Sequence, residues 1–528
     1  MNPRAGVLLA TGALVAGTVT VLPASAEPRP EPTPRPLARL VWSDCPTTRY
    51  PRLECGSLEV PLDHDDPAGR TVTLALSRVA HTAEESQGPL LVNPGGPGGS
   101  GRAMAGFVAA SLPPAVAAQY DVIGFDPRGV GRSEPALDCR PGHFTAVRPD
   151  SVPVGAEGER TGVERARAFA EACGAKYADL LPYIDTVSTA RDMDAIREAV
   201  GASRLNYLGY SYGTYLGAVY ARLYPERVRR MALDSVVDPR GVWYRDNLAQ
   251  DHAFDARHKD FLAWVARHDA AYRLGTDPAA VEAAWYRMRA ALRETPAGGE
   301  VGPSELEDTF LPGGYYDGYW PALAAAFSAY VHDGDDAPLR AAYEALAAPD
   351  DASDNGYSVY TSVQCRDAAW PRDWGVWRED NWAAHAKAPF ATWNNAWYNA
   401  PCAFWPVDSL KPPELTNDEV PPILILQATN DAATPYQGAA ELHRRVRGSS
   451  LVVEQGGGNH GVTLSGNACP DEHLATYLAT GRVPRGDGLS EADAVCARLP
   501  APEPVRPTAR HGGATGGAVL HDLLGHRR

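Results

Sequence analysis

Leu205-Asn206-Tyr207-Leu208-Gly209-Tyr210-Ser211-Tyr212-Gly213-Thr214-Tyr215 is the stretch that decides the fold of this chain. An apolar, β-prone run enters it, and a run of small and apolar residues with helical character leaves it. Between them stands Gly-x-Ser-x-Gly, which in this setting reads as a nucleophile elbow. On such a strand-to-helix turn the serine hydroxyl projects above the end of a sheet. The turn is strained, and side chains two residues either side of the serine would strike neighbouring backbone. Gly209 and Gly213 remove those atoms.

Working outward, further β-like runs alternate with helical patterns. Thr71–Val79 alternates like a half-exposed strand. Pro89–Asn93, Tyr120–Phe125, Leu205–Leu208, Arg230–Leu233, Ile423–Leu426 and Leu451–Val453 read as buried strands. Helical patterns such as Val187–Val200 and Gly438–Val446 lie between them. This alternation predicts an α/β fold with a mostly parallel sheet and helices on both faces. Reactive groups then belong at the carboxyl ends of the strands. The rhythm breaks from about Gly241 to Leu410, a helix-rich region holding eleven of the twelve tryptophans. That composition predicts an inserted helical cap with aromatic surface towards the mouth of the core, although most of its tryptophans would fill the cap's own interior.

The N-terminus predicts export. A short cationic start, an apolar run from Ala5 to Leu22 and the small residues Ala24-Ser25-Ala26 read as a signal peptide, Met1–Ala26. A Pro-rich linker or pro-segment, 27–39, follows. Then come the first part of the core (40–240), the cap (241–410), the second part of the core (411–500) and a flexible tail (501–528). With a net charge of −16, nucleic acid and anionic membranes are poor partners. Eight cysteines in an exported chain suggest disulfides, and eight allow 105 pairings. Sequential pairing closes the shortest loops and is the expectation. No Cys-x-x-Cys is present, which disfavours zinc.

A serine nucleophile needs a base, and the base needs an orienting carboxylate. In sheets of this kind the chain order is Ser, then Asp or Glu, then His. Asp431 follows the strand 423–426, and His460 sits in a glycine-rich loop after the strand 451–453. Asp408 is the poorer acid, because no comparable strand precedes it. The oxyanion of a tetrahedral intermediate needs two N–H donors. The expected donors are Tyr212, after the nucleophile, and Gly96 in Asn93–Gly101, with Gly95 as the alternative. No metal or organic cofactor is called for.

In this order, Pro94–Gly99, Asp126–Ser133, Gly209–Gly213 and Asn430–Pro435 resemble the prolyl iminopeptidase-like serine aminopeptidases of the α/β-hydrolase superfamily. More closely they resemble the secreted tripeptidyl aminopeptidases of actinomycetes. The resemblance covers about residues 40–500. It implies a triad of Ser211, Asp431 and His460, with Gly96 and Tyr212 lining the oxyanion hole. Pro94 and Pro127 stand where proline-specific members carry other residues, which points to the tripeptidyl branch. The arginine and aspartate of Asp126–Ser133 would brace their loop. The implied activity is removal of a short peptide, a tripeptide for this branch, from the free N-terminus of a peptide or protein. Such a site requires a carboxylate for the substrate ammonium, and Asp367, beside Cys365 in the cap, is the expected one. The same triad would also serve an esterase or lactonase. A non-catalytic binding protein fits poorly with an intact Ser, Asp and His.

Overall fold

The computed structural model describes residues 40–486, 491–504 and 516–524. The expected signal peptide and the linker 27–39 lie outside the described residues.

Ten strands form one sheet: β1 (Ser43–Asp44), β2 (Glu54–Pro61), β3 (Thr71–Val79), β4 (Pro89–Asn93), β5 (Asp121–Asp126), β6 (Leu205–Tyr210), β7 (Val228–Asp234), β8 (Leu424–Ala428), β9 (Ser450–Gln455) and β10 (Ala494–Ala497). Their order is β1-β2-β3-β5-β4-β6-β7-β8-β9-β10. The pairs from β1 to β5 are antiparallel, and all neighbours from β5 to β10 are parallel. Helices cover both faces, so the central strands are buried on two sides and read in the sequence as continuous apolar runs. Successive residues serve opposite faces. Leu90, Val92, Leu208, Tyr210 and Leu426 belong to one core cluster. Leu91, Tyr207, Met231, Ile425 and Leu451 belong to the other.

The cap enters between β7 and β8. Its helices, from Tyr244–Arg267 to Thr392–Asn399, enclose a separate core built around Phe254, Phe261, Trp264, Trp285, Phe310 and Trp320. Of its eleven tryptophans, Trp243 lines the central cavity. Tyr315, Tyr357, Tyr360 and Tyr398 line it as well, so the cap's aromatic surface at the mouth is one indole and four phenol rings.

The cysteines pair sequentially: Cys45–Cys55, Cys139–Cys173, Cys365–Cys402 and Cys469–Cys496. Within the stretch read as a tail, Gly516–Leu524 is a helix. Its Val519, Leu520, Leu523 and Leu524 fall one helical turn apart in pairs; Leu520 and Leu524 are buried in the core cluster that holds Tyr210, and Val519 and Leu523 pack against it. Among the described residues no helix is long and apolar enough to cross a membrane.

Candidate active site

Strand β6 delivers Ser211, and the helix Tyr212–Leu223 leaves it. Ser211 holds φ 55° and ψ −128°, a left-handed conformation that costs of order 1–3 kcal/mol. Burial of one neighbour such as Leu208 offsets this, at about 1.5–3 kcal/mol. The surroundings explain both glycines. A Cβ on Gly209 would stand 2.5 Å from the Gly213 carbonyl oxygen, and one on Gly213 would stand 2.9 Å from the Asn93 carbonyl oxygen. The Ser211 N–H donates to the Asp234 carbonyl at 3.0 Å, tying the turn to β7.

Asp431 and His460 meet above the ends of β8 and β9. The His460 Nδ1 lies 2.9 and 3.0 Å from the two Asp431 carboxylate oxygens. Asp431 is buried and is held by the N–H groups of Ala433 (2.9 Å) and Thr434 (3.0 Å) and by the Thr434 hydroxyl (3.1 Å). A carboxylate fixed in this way fixes the imidazole, and it selects the tautomer with hydrogen on Nδ1. That leaves Nε2 as an acceptor. It has no hydrogen-bond partner among the described residues.

The histidine loop is anchored from β7. Asp234 accepts from the N–H groups of Val462 (3.0 Å) and Thr463 (2.8 Å) and from the Thr463 and Ser235 hydroxyls. Burial raises its carboxyl to about 6, while these donors work against the rise. From the cap, the Tyr315 carbonyl accepts the His460 N–H at 2.8 Å.

The glycine loop after β4 closes over the elbow. Gly95, Gly96 and Gly98 have φ of 97°, 111° and 107°. A Cβ on Gly95 would lie 3.0 Å from the Tyr212 nitrogen, so the loop and the first N–H of the helix face one point. The Gly95 N–H is committed to Asn93 Oδ1 at 2.9 Å. Gly96 is therefore the member of the pair whose N–H can serve a substrate oxygen.

Ser211, His460, Gly96 and Tyr212 line one cavity of about 1270 Å³ between core and cap. The structure does not bring Asp367 to its wall. Cys402 pins the end of the helix Asp351–Asp367 against the main core, so the Asp367 carboxylate turns inward. There it accepts from the Thr186 N–H (2.8 Å), the Thr186 hydroxyl (2.6 Å) and Trp243 Nε1 (3.3 Å). Burial, reinforced by Asp185, lifts its carboxyl to about 7. The Thr186 hydroxyl also meets the Tyr212 hydroxyl at 2.8 Å, so Asp367 braces the ring of Tyr212.

Several other acidic residues line the cavity, Asp246 and Asp238 among them. Asp238 is paired with Arg240 at 2.5 Å. Asp246 packs on Gly241, its Oδ2 has no hydrogen-bond partner among the described residues, and burial together with Asp238 pushes its carboxyl well above the usual range. Both lie in the segment leaving the carboxyl end of β7. That position was the available signal, and it is lost in a sequence where acidic residues are common. In the Asp126–Ser133 loop, Arg128 is buried against both carboxylate oxygens of Asp192, and Asp126 accepts from Ser100 and the Arg132 N–H, which makes both residues braces.

Residues 88–463 match the family described by the α/β hydrolase fold. A tripeptidyl aminopeptidase of Streptomyces coelicolor is 45% identical over 479 residues, covering 88% of this chain and 87% of that protein. The serine protease Hip1 of Mycobacterium tuberculosis is 32% identical, over 84% of this chain and 89% of its own length. A carboxylesterase B of Mycobacterium tuberculosis is also 32% identical, over 92% and 97%. The chain belongs to the α/β-hydrolase family, in the branch of serine hydrolases that holds the Streptomyces tripeptidyl aminopeptidases.

Proposed function

We propose that this chain is an exported serine aminopeptidase that releases tripeptides from free N-termini. Ser211 Oγ attacks the scissile carbonyl and gives its proton to His460 Nε2. Asp431 holds the imidazolium that forms. The N–H groups of Gly96 and Tyr212 receive the oxyanion. His460 then protonates the leaving amine, and the acyl-enzyme on Ser211 is hydrolysed by a water that His460 activates. Export rests on the Met1–Ala26 pattern together with the disulfides.

The observation that carries the choice of a free-amine substrate is Asp246. Asp246 is half-buried, and the neighbouring Arg240 is committed to Asp238 at 2.5 Å, so the Asp246 carboxylate lacks an ion-pair partner of its own among the described residues. Set in the wall of the cavity that holds Ser211, it is completed by the ammonium of a substrate, and this role passes to it from Asp367. A second reading, an esterase, is favoured by the likeness to carboxylesterase B. Steady-state rates on a tripeptide p-nitroanilide, its N-acetyl form and a p-nitrophenyl ester separate the two. The expected result is high kcat/KM for the free amine, a loss of at least tenfold on acetylation, and a similar loss in Asp246→Asn on the free amine alone. Rapid ester hydrolysis without peptide cleavage would establish the esterase instead.

A further inference from the structure

The helix Gly516–Leu524 closes one side of the active-site cavity. Its Asp522 and Leu524 line the same space as Ser211, His460 and Gly96. The helix is seated firmly there. Leu520 and Leu524 are buried, and they lie so close to Gly461 that a Cβ on that glycine would stand 2.9 Å from Leu524 Cδ1 and 3.3 Å from Leu520 Cδ2. The same Cβ would lie 3.6 Å from the Tyr210 ring. The helix thus packs on the residue that follows His460, which in turn adjoins Tyr210, the residue that precedes Ser211. Its His521 ring stacks on Tyr316, with centroids 4.2 Å apart and planes 20° apart. Tyr316 adjoins Tyr315, whose carbonyl holds the His460 N–H. Gly517 permits this approach, because a Cβ there would reach 2.9 Å from the Tyr316 hydroxyl.

We infer that the C-terminal helix is a specificity-determining wall of the substrate cleft, in which Leu524 limits the room on its side of the cavity, next to Gly461, and the Asp522 carboxylate favours cationic over anionic groups there. Three features carry this. The helix has side chains in the cavity as well as in the core. The apolar Leu524 is anchored on one edge of the cleft, so its bulk subtracts directly from the space for substrate. Asp522 is exposed within a helix whose other side is buried, so its charge is presented to the cavity. A unit charge a few ångströms from a substrate charge at a protein surface shifts selectivity severalfold or more. The inference takes from the proposed function only that the cavity is where substrate binds Ser211.

The test uses full-length protein and covalent labelling of Ser211 by fluorophosphonates, which requires a nucleophilic serine and no peptidase activity. Second-order labelling rates are measured with a compact probe, a bulky probe, and a matched pair carrying an ammonium or a carboxylate. Leu524→Ala is expected to raise the bulky-to-compact ratio at least threefold, and Leu524→Trp to lower it by a similar factor. Asp522→Lys is expected to lower the ammonium-to-carboxylate ratio at least fivefold, with Asp522→Asn intermediate. Circular dichroism and thermal melting establish that each variant is folded. If loss of packing at Leu524 unfolds the chain, the exposed Asp522 variants decide. Ratios within twofold of the parent chain in folded variants would overturn the inference. Failure of the parent chain to cleave free-amine peptides would count against the aminopeptidase reading and leave these ratios readable.

Discussion

Ser211, His460 and Asp431 differ in how much each owes to its surroundings. Ser211 is exposed to the cavity by a backbone conformation that its neighbours enforce, so Ser211→Ala should leave the fold intact. It should abolish fluorophosphonate labelling and lower kcat by several orders of magnitude, as measured by active-site titration and steady-state rates. Asp431→Asn keeps the shape but favours the wrong imidazole tautomer, and a loss of about 10^4-fold in kcat is expected. Asp246 gives a pH signature. Its carboxyl is raised in the free enzyme, and only the ionised form attracts an ammonium. As pH rises and Asp246 ionises, KM for free-amine substrates should fall, until the substrate α-amine itself loses its proton near about pH 8. KM for a neutral ester should stay flat over the same range. A KM for free-amine substrates that rises with pH would remove Asp246 from substrate binding.

At the scale of elements, the glycine loop and the cap helix Asp351–Asp367 meet backbone to backbone. A Cβ on Gly98 would stand 2.4 Å from the Gly356 carbonyl oxygen, at a φ of 107°. Gly98→Ala must therefore displace the loop that carries Gly96, and kcat should fall by up to about 10^2-fold with a smaller change in KM. The end of the same helix supplies a stability test. Asp367 is raised to about 7 when folded, against an ordinary carboxyl near 4 when unfolded. The folded state therefore binds the extra proton between these values. The associated stability is fully present below the unfolded pKa and is lost as pH rises through about 7. The melting temperature should drop between pH 5 and 8 in the parent chain, and the drop should be shallower in Asp367→Asn.

The buried parallel strands were legible in the sequence because both of their faces are apolar. β2 was not, since Glu54–Pro61 mixes polar residues with a glycine and is only partly buried. The elbow, the histidine loop and the acid were legible because each follows a readable strand. The residues that line the cavity from the cap were not, because helices from distant parts of the chain assemble its wall, and residue type does not record which side of a helix faces it. Asp367 illustrates this: its disulfide neighbour fixes it, but facing away from the cavity.

At the scale of the whole molecule, the sheet, the cap and the C-terminal helix each contribute to one cavity, and the disulfides tie down segments around it. The Cys365–Cys402 bridge closes a loop of 37 residues and Cys45–Cys55 one of 10. In the chain-entropy account the longer loop contributes about 1 kcal/mol more stability. Denaturant unfolding of the two double Cys→Ser variants should show that order. What the assembled cavity accepts is read from the masses of the products released from one peptide, offered with a free and with an acetylated N-terminus. A free tripeptide and a peptide shortened by three residues are expected from the free form, neither from the acetylated form, and neither with Ser211→Ala. Equal cleavage of both forms, or products that survive Ser211→Ala, would contradict release of tripeptides from free N-termini by Ser211.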